Sequence, residues 1–573
     1  MIKKIIPLWL ASVITLPVWA DTPASQQLNT LTQQAWQYEQ TLQETVPADI
    51  SPEALKTQHQ QYEQFLSQVN NIDPDGLNKE EKITRLMQAY RLQNYVDEYR
   101  FEAYKVPITS EYGFHSALAS LPTSSRLKNR EDYQAYLDKL SRISGYIDQQ
   151  IAYMRQGIKE GYTQPKAVLS GYEKTVSSLI ASQARDSLFY RPFITPSATL
   201  SQADVTTLSA RAKTLINEQV NPALKRLYTF FVEQYIPQAR TSIAAKDWPN
   251  GEAYYQNRIA HYTTTSMNAR QIHKLGLQEV KRIRLAMREV VKQADFDGSV
   301  DDFIAFLRTD PQFYATTAKG LLKEASYIAK KADAGLPALF ETLPRIPYGV
   351  APVPDNIAPK YTTGRYIHPA NPTEPAYYWV NTYALDKRPL YALPALTLHE
   401  AVPGHHLQIS LADEMDQLPN VRRATYISAF GEGWGLYSEF LGIEMGIYET
   451  PYDDFGRLSY EMWRACRLVV DTGMHMFGWS RQQAIDYMLK NTALSEHNIT
   501  TEVDRYISWP AQALSYKIGE IKIRQLRDKA EQELGERFDI RQFHSAVLRH
   551  GSVPLFVLED NINQYIQAVK TGQ

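Results

Sequence analysis

The sequence predicts a mainly α-helical protein with one small β-sheet just before its chemical centre. Three observations predict this class. Over most of the 573 residues, polar-rich segments carry apolar residues three or four positions apart, the period of an amphipathic helix. Only the segment 344–394 departs from that period, with ten prolines among Tyr, Thr and Val. The composition is 44% hydrophobic and 22% charged, that of an ordinary globular chain.

In chain order, the helical period runs through 25–47, 51–69, 78–104, 130–160 and 201–235. In the fourth of these, Leu137, Leu140, Ile143, Ile147, Ile151 and Met154 follow one side, which predicts a helix packed on others with its charges in solvent. The Pro-Gly content of "KDWPNGEAYY" places a joint near 246–252. It divides an N-terminal helical lobe, 21–245, from a C-terminal catalytic lobe, 246–573. The second lobe resumes with the helical "ARQIHKLGLQEVKRIRLAMREVVKQ". Within the proline-rich segment, "YYWVNTY" is aromatic and β-branched and predicts a strand.

The first twenty residues stand apart. A basic "MIKK" precedes the apolar "IIPLWLASVITLPV" and a small residue, Ala20. The pattern predicts a secretory signal peptide over 1–20, with a periplasmic or secreted mature protein. The apolar stretch is too short and proline-broken to make a good spanning helix. No cysteine follows the cut, so an N-terminal lipid anchor is not expected. No comparable apolar run follows, so no membrane partner is expected of the mature chain. Removal of Lys3 and Lys4 leaves 59 basic against 63 acidic residues, which is no nucleic-acid footprint. The single cysteine, Cys466 in "WRACRLVV", forms no intramolecular disulfide and reads as a packed thiol. Oligomeric state is not encoded in any of these features.

The chemistry concentrates in "LTLHEAVPGHHLQ". A His-Glu pair with a second His four residues after the first is the usual zinc-hydrolase helix, but here Pro403 occupies that fourth position. At about 100° per residue, His405 points away from His399, and His406 returns to the same face only about 10.5 Å further along the axis. Pro403 and Gly404 resolve the difficulty. Proline cannot hydrogen-bond to residue 399 and clashes with its carbonyl, and glycine accepts backbone angles that other residues avoid. A two-residue insertion looped out there brings His405 to the place of the usual second ligand. Glu400 then becomes the base for a metal-activated water. His405 is preferred to His406, which is left as a substrate contact.

A catalytic zinc takes a third protein ligand. In "SAFGEGWGLYSEF", Glu432 is flanked by Gly431, Gly433 and Gly435, a spacing that predicts close approach of another backbone or of the site itself. Glu439 lies two helical turns further on. One of the two reaches the metal, and Glu432 is preferred. Along "EMWRACRLVVDTGMH", Arg464, Asp471 and His475 fall within about 20° of one line and Arg467 about 60° off it. Such a stripe is either a structural ion-pair network or a catalytic face. On the second reading His475, oriented by Asp471, donates to an oxyanion, and Arg464 or Arg467 holds a substrate carboxylate. Asn381 and Tyr383 are the substrate-facing positions if the predicted strand pairs with an extended peptide.

The motifs "LHEAVPGHHLQ", "GEGWGLYSE", "RLVVDTGMHMFGWSRQQAIDYM", "WPAQALSYKIGE" and "FHSAVLRHGSVPLFVLE" together resemble the bacterial domain-of-unknown-function 885 family. The resemblance covers most of the chain after about residue 250. It implies a two-lobed, zincin-like helical fold similar to thimet oligopeptidase and angiotensin-converting enzyme, with zinc in a deep central cleft. It also implies an oxyanion role for Tyr516, since related peptidases use a tyrosine from a late helix. The expected function is an exported zinc metallopeptidase for short peptides. Its rivals are a zinc amidase acting on cell-wall peptides and a metal-free peptide-binding or scaffold protein.

Overall fold

The computed structural model describes residues 22–355, 357–369 and 373–572, so the expected signal peptide lies outside the described residues. Helices dominate, and their boundaries follow local chemistry. Helix Pro23–Glu44 starts where Thr22 accepts from the Ser25 N–H, and Pro52–Asn70 where Ser51 accepts from Ala54. Helix Lys79–Arg100 starts with a reciprocal cap between Asn78 and Glu81. The three share a small core that includes Leu28, Phe65, Val69 and Leu92.

Helix Arg130–Glu160 begins with a similar cap at Asn129 and ends at Gly161, whose φ of 89° is left-handed. All six apolar residues read along its face are buried. The periodic stretch 201–235 is helical but not uniform. It widens to π-type turns at Ile216–Val220 and Phe231–Tyr235. Pro222 and Pro237 follow directly, and each lacks the N–H and the space that a regular α-turn demands.

In the second half, Ala269–Gln293 lies along Pro451–Met476 so closely that a Cβ on Gly276 would sit 2.7 Å from that of Leu468. One apolar core runs from Ile83 to Ile566 and draws on both sides of the 246–252 joint. Cys466 is fully buried within it, and burial pushes its thiol up. Among the described residues no helix is long and apolar enough to cross a membrane.

The expected β element is a three-stranded sheet of β1 (Tyr348–Pro352), β2 (Gly364–Ile367) and β3 (Ala376–Val380), in the order β1-β3-β2. Strand β3 is parallel to β1, pairing Ala376 with Tyr348, and antiparallel to β2, pairing Tyr378 with Tyr366. Ala376, Tyr378 and Val380 turn inward, and Thr397 on the His399 helix donates to the Tyr378 hydroxyl at 3.4 Å. The sheet therefore rests on the helix that carries the chemistry.

Candidate metal centre

His399 and Glu400 end helix Leu393–Glu400. The helical bond from Ala401 N–H to Thr397 is still made, but the chain then leaves the helix through a cis Val402–Pro403 peptide. Gly404 N–H turns back to the Leu398 carbonyl at 3.0 Å, and a second helix opens at His405. Glycine is required at 404 by contact rather than by dihedral angle. Its φ is −72°, but a Cβ there would lie 1.9 Å from the His399 carbonyl oxygen. Trp434 Nε1 donates to the Pro403 carbonyl at 2.8 Å and anchors the turn. The break sets the His399 and His405 rings perpendicular, with centroids 4.7 Å apart.

Glu432 comes from helix Ser428–Leu441, and each glycine beside it admits a different neighbour. A Cβ on Gly431 would meet the Tyr426 ring at 2.3 Å, and one on Gly433 the Gly519 backbone at 2.5 Å. One on Gly435 would meet His399 Cε1 at 2.7 Å. The helix therefore touches helix Ser515–Leu534 on one side and the imidazole on another. Tyr426 donates to Glu432 Oε1 at 3.0 Å and leaves Oε2 facing the histidines.

His399, His405 and Glu432 each offer one ligand atom, all within 4.8 Å of one another. Glu432 Oε2 stands 3.6 Å from His399 Nε2 and 3.4 Å from His405 Nε2. Two donors about 2.1 Å from a tetrahedral zinc are roughly 3.4 Å apart, so this donor set fits zinc in chemistry and in spacing. Electrostatics point the same way. Burial lowers His399, but Glu432 and Glu439 outweigh it and raise it to about 9. Glu432, despite its burial, is held well below the usual carboxylate range by His405 and His399.

Around this trio, His399 Nδ1 donates to Glu439 Oε1 at 2.9 Å, and Arg464 Nη2 lies 3.1 Å from the same oxygen. Glu439 thus fixes the ring so that Nε2 faces Glu432. Glu400 Oε2 accepts the Tyr366 N–H of β2 at 2.7 Å. The trio borders a cavity of about 460 Å³ whose lining also includes Glu400, Tyr426, Arg464, Arg467 and Tyr516, with Glu439 behind it. The Tyr516 ring lies 6.3 Å from that of His399, and burial raises its hydroxyl above the ordinary value.

Five sequence-predicted positions are elsewhere. His406 turns away from the centre to pack at a tilt on Tyr348, ring centroids 4.6 Å apart, and burial lowers it to about 4. It follows His405 directly on a helix, so the two rings diverge. His475 is fully buried away from the cavity. Its Nε2 donates to the Tyr506 carbonyl at 2.9 Å and its Nδ1 accepts the Ala245 N–H at 3.0 Å. Asp471 does not orient it, since its Oδ1 accepts from Tyr255 and from the Ala511 N–H. Every residue of helix Pro451–Met476 from Phe455 to His475 is buried, and of that stripe only Arg464 and Arg467 meet the cavity. Asn381 is fully buried and donates to the carbonyls of Ala358, Tyr361 and Thr362. Tyr383 lies past the end of β3, half exposed and outside the cavity lining. The central strand β3 has both edges paired, and it is β2 that borders the cavity.

Sequence reasoning missed Tyr426, Glu502, Arg505 and Glu111, all of which line the cavity. Tyr426 stands six residues before Glu432, a local signal that could have found it. Glu502 and Arg505 are three apart on helix Glu496–Ser508, the spacing of an ordinary surface pair. Glu111 sits in the turn closed by Thr109 N–H on the Tyr112 carbonyl at 2.7 Å, nearly three hundred residues from His399, with nothing local to mark it.

A candidate lipoprotein from Colwellia psychrerythraea is 27% identical over 96% of this chain and 100% of its own, with a TM-score of 0.86. A candidate lipoprotein of unknown function from Shewanella oneidensis shares the fold at a TM-score of 0.73 and 18% identity, over 94% of this chain and 99% of its own. No curated protein matches. The family described as "Bacterial protein of unknown function (DUF885)" matches residues 35–562, a span that includes every residue of the centre. The chain belongs to this family.

Proposed function

We propose that this protein is an exported zinc-dependent peptidase of two-lobed, zincin-like build that hydrolyses short peptides. The observation that carries the reading is the convergence of His399, His405 and Glu432 within 4.8 Å, with Glu400 at the lip of the same cavity. A zinc ion held there supplies Lewis acidity to water and to a substrate carbonyl. Glu400, steadied by the Tyr366 N–H, accepts a proton from the attacking water and passes it to the leaving amine. Tyr516, kept protonated by burial, donates to the developing oxyanion. An extended substrate lies along the edge strand β2, whose Gly364, Arg365 and Tyr366 border the cavity. About 460 Å³ of space suits a few residues of unfolded chain and excludes a folded protein. The description of the Colwellia psychrerythraea relative as a candidate lipoprotein agrees with export.

The test is metal analysis of protein purified without added zinc, paired with a mixed peptide library read by mass spectrometry. One equivalent of zinc and chelator-sensitive cleavage are expected. Less than about half an equivalent, not restored by added zinc, would sink the reading. Purified cell-wall fragments, offered in parallel, separate a peptidase from an amidase.

A further inference from the structure

Beside Tyr516, two guanidinium groups share a single carboxylate. Arg467 Nη2 and Arg505 Nη2 each lie 3.0 Å from Glu502 Oε2. The three residues are 2%, 8% and 6% exposed, and all line the cavity. Arg505 also donates to Gln512 Oε1 at 2.6 Å, and Arg467 Nε to the Tyr506 hydroxyl at 2.8 Å. Arg467 Nη1, though buried, has no hydrogen-bond partner.

The neighbouring arginines have partners of their own. Arg464 is matched by Glu439. Arg365 donates to the Tyr112 hydroxyl at 2.9 Å and, with Arg505, acts electrostatically on Glu111, whose carboxyl burial nevertheless pushes up. Within the trio two guanidinium groups therefore face one carboxylate, and one N–H of Arg467 has no partner, in a place where an unmatched charge is costly. A guanidinium fork is matched by a carboxylate.

We infer that Arg467 and Arg505 form a subsite for the C-terminal carboxylate of the peptide, so that the proposed peptidase works from the carboxyl end of its substrates. The Tyr516 ring gives the scale. Its centroid is 4.2 Å from the Arg467 guanidinium carbon and 6.3 Å from the His399 ring. An extended residue spans about 3.3–3.6 Å, so a carboxylate held by Arg467 lies one or two residues beyond a carbonyl at the metal centre. The exopeptidase rests on the reading above; the anion subsite rests on the arginines alone.

The test compares one hexapeptide as free acid and as C-terminal amide. Binding to zinc-loaded Glu400→Gln protein is measured by calorimetry, and products of the wild-type protein by mass spectrometry. The acid should bind at least about tenfold tighter, the fold-change of a lost charged hydrogen bond. Wild type should release one or two residues from the acid and spare the amide. Arg467→Met should abolish the preference, and Arg467→Lys should keep only part of it. Equal binding of both forms overturns the subsite, and this comparison needs no change at Arg467. Internal cleavage of both forms at equal rates overturns the exopeptidase. Acid-selective binding with no cleavage of either form supports the subsite and overturns the peptidase reading.

Discussion

Glu439 Oε1 accepts the Nδ1–H of His399 at 2.9 Å, and both side chains are buried. This bond sets which imidazole nitrogen faces Glu432. Glu439→Gln keeps the volume but weakens the acceptor, and partners of this kind are worth about 10- to 100-fold in metal affinity. The variant should bind zinc about that much more weakly in a chelator competition, with an unchanged circular dichroism spectrum. Unchanged affinity would remove Glu439 from the centre. Glu439→Ala is a poorer probe, because it also removes the oxygen that accepts from both His399 and Arg464 and leaves a buried void.

Gly435→Ala tests the contact between helix and imidazole. The added methyl would fall 2.7 Å from His399 Cε1, so the ring or the helix must shift. Zinc affinity should drop while the helical spectrum is kept. An alanine variant with parental affinity would show that the seam between helix and ring relaxes freely.

Glu400→Gln should keep a full equivalent of metal and lose turnover by about 10²- to 10⁴-fold, the range of general acid–base catalysis. His399→Ala should lose both. Peptide hydrolysis at the parent rate in Glu400→Gln would show that the base is a different group.

Much of this was legible in the chain. Six apolar residues spaced three or four apart marked the buried face of helix Arg130–Glu160, and three glycines marked the crowding around Glu432, because period and side-chain size are local properties. The break at Pro403 was legible for the same reason. Direction was not. Arg464, Arg467, Asp471 and His475 share one stripe, yet only the first two border the cavity. What faces a stripe depends on helices far away in sequence. Asn381 was misjudged for a related cause. Strand content was readable in "YYWVNTY", but not that β3 would be the central strand, nor that Asn381 would turn out of it to tie down residues 358–362.

His475 now carries a different prediction. Burial lowers it to about 4 in the folded protein, against 6.5 in the unfolded chain. The unfolded state therefore binds the proton more readily between these values. The neutral ring's contribution is fully present above pH 6.5 and is lost as the pH falls toward 4, an effect of about 3 kcal/mol. His475→Gln should flatten the fall of melting temperature over that window and leave peptide turnover within about twofold at pH 7.5. A loss of turnover by a hundredfold or more, with the melting temperature unchanged, would restore the catalytic role.

The turn from Thr109 to Tyr112 has a consequence for how the protein is dissected. Gln164 Nε2 bridges the carbonyls of Ile108 and Ser508, and the Ser110 hydroxyl bonds that of Ser508 at 3.0 Å. A fragment begun at residue 246 would contain His399, Glu400, His405 and Glu432 and still lack a wall of their chamber. The gene cannot be trimmed to the metal centre alone at the joint that Pro249 and Gly251 suggest, because the early residues complete the vessel that the late ones equip.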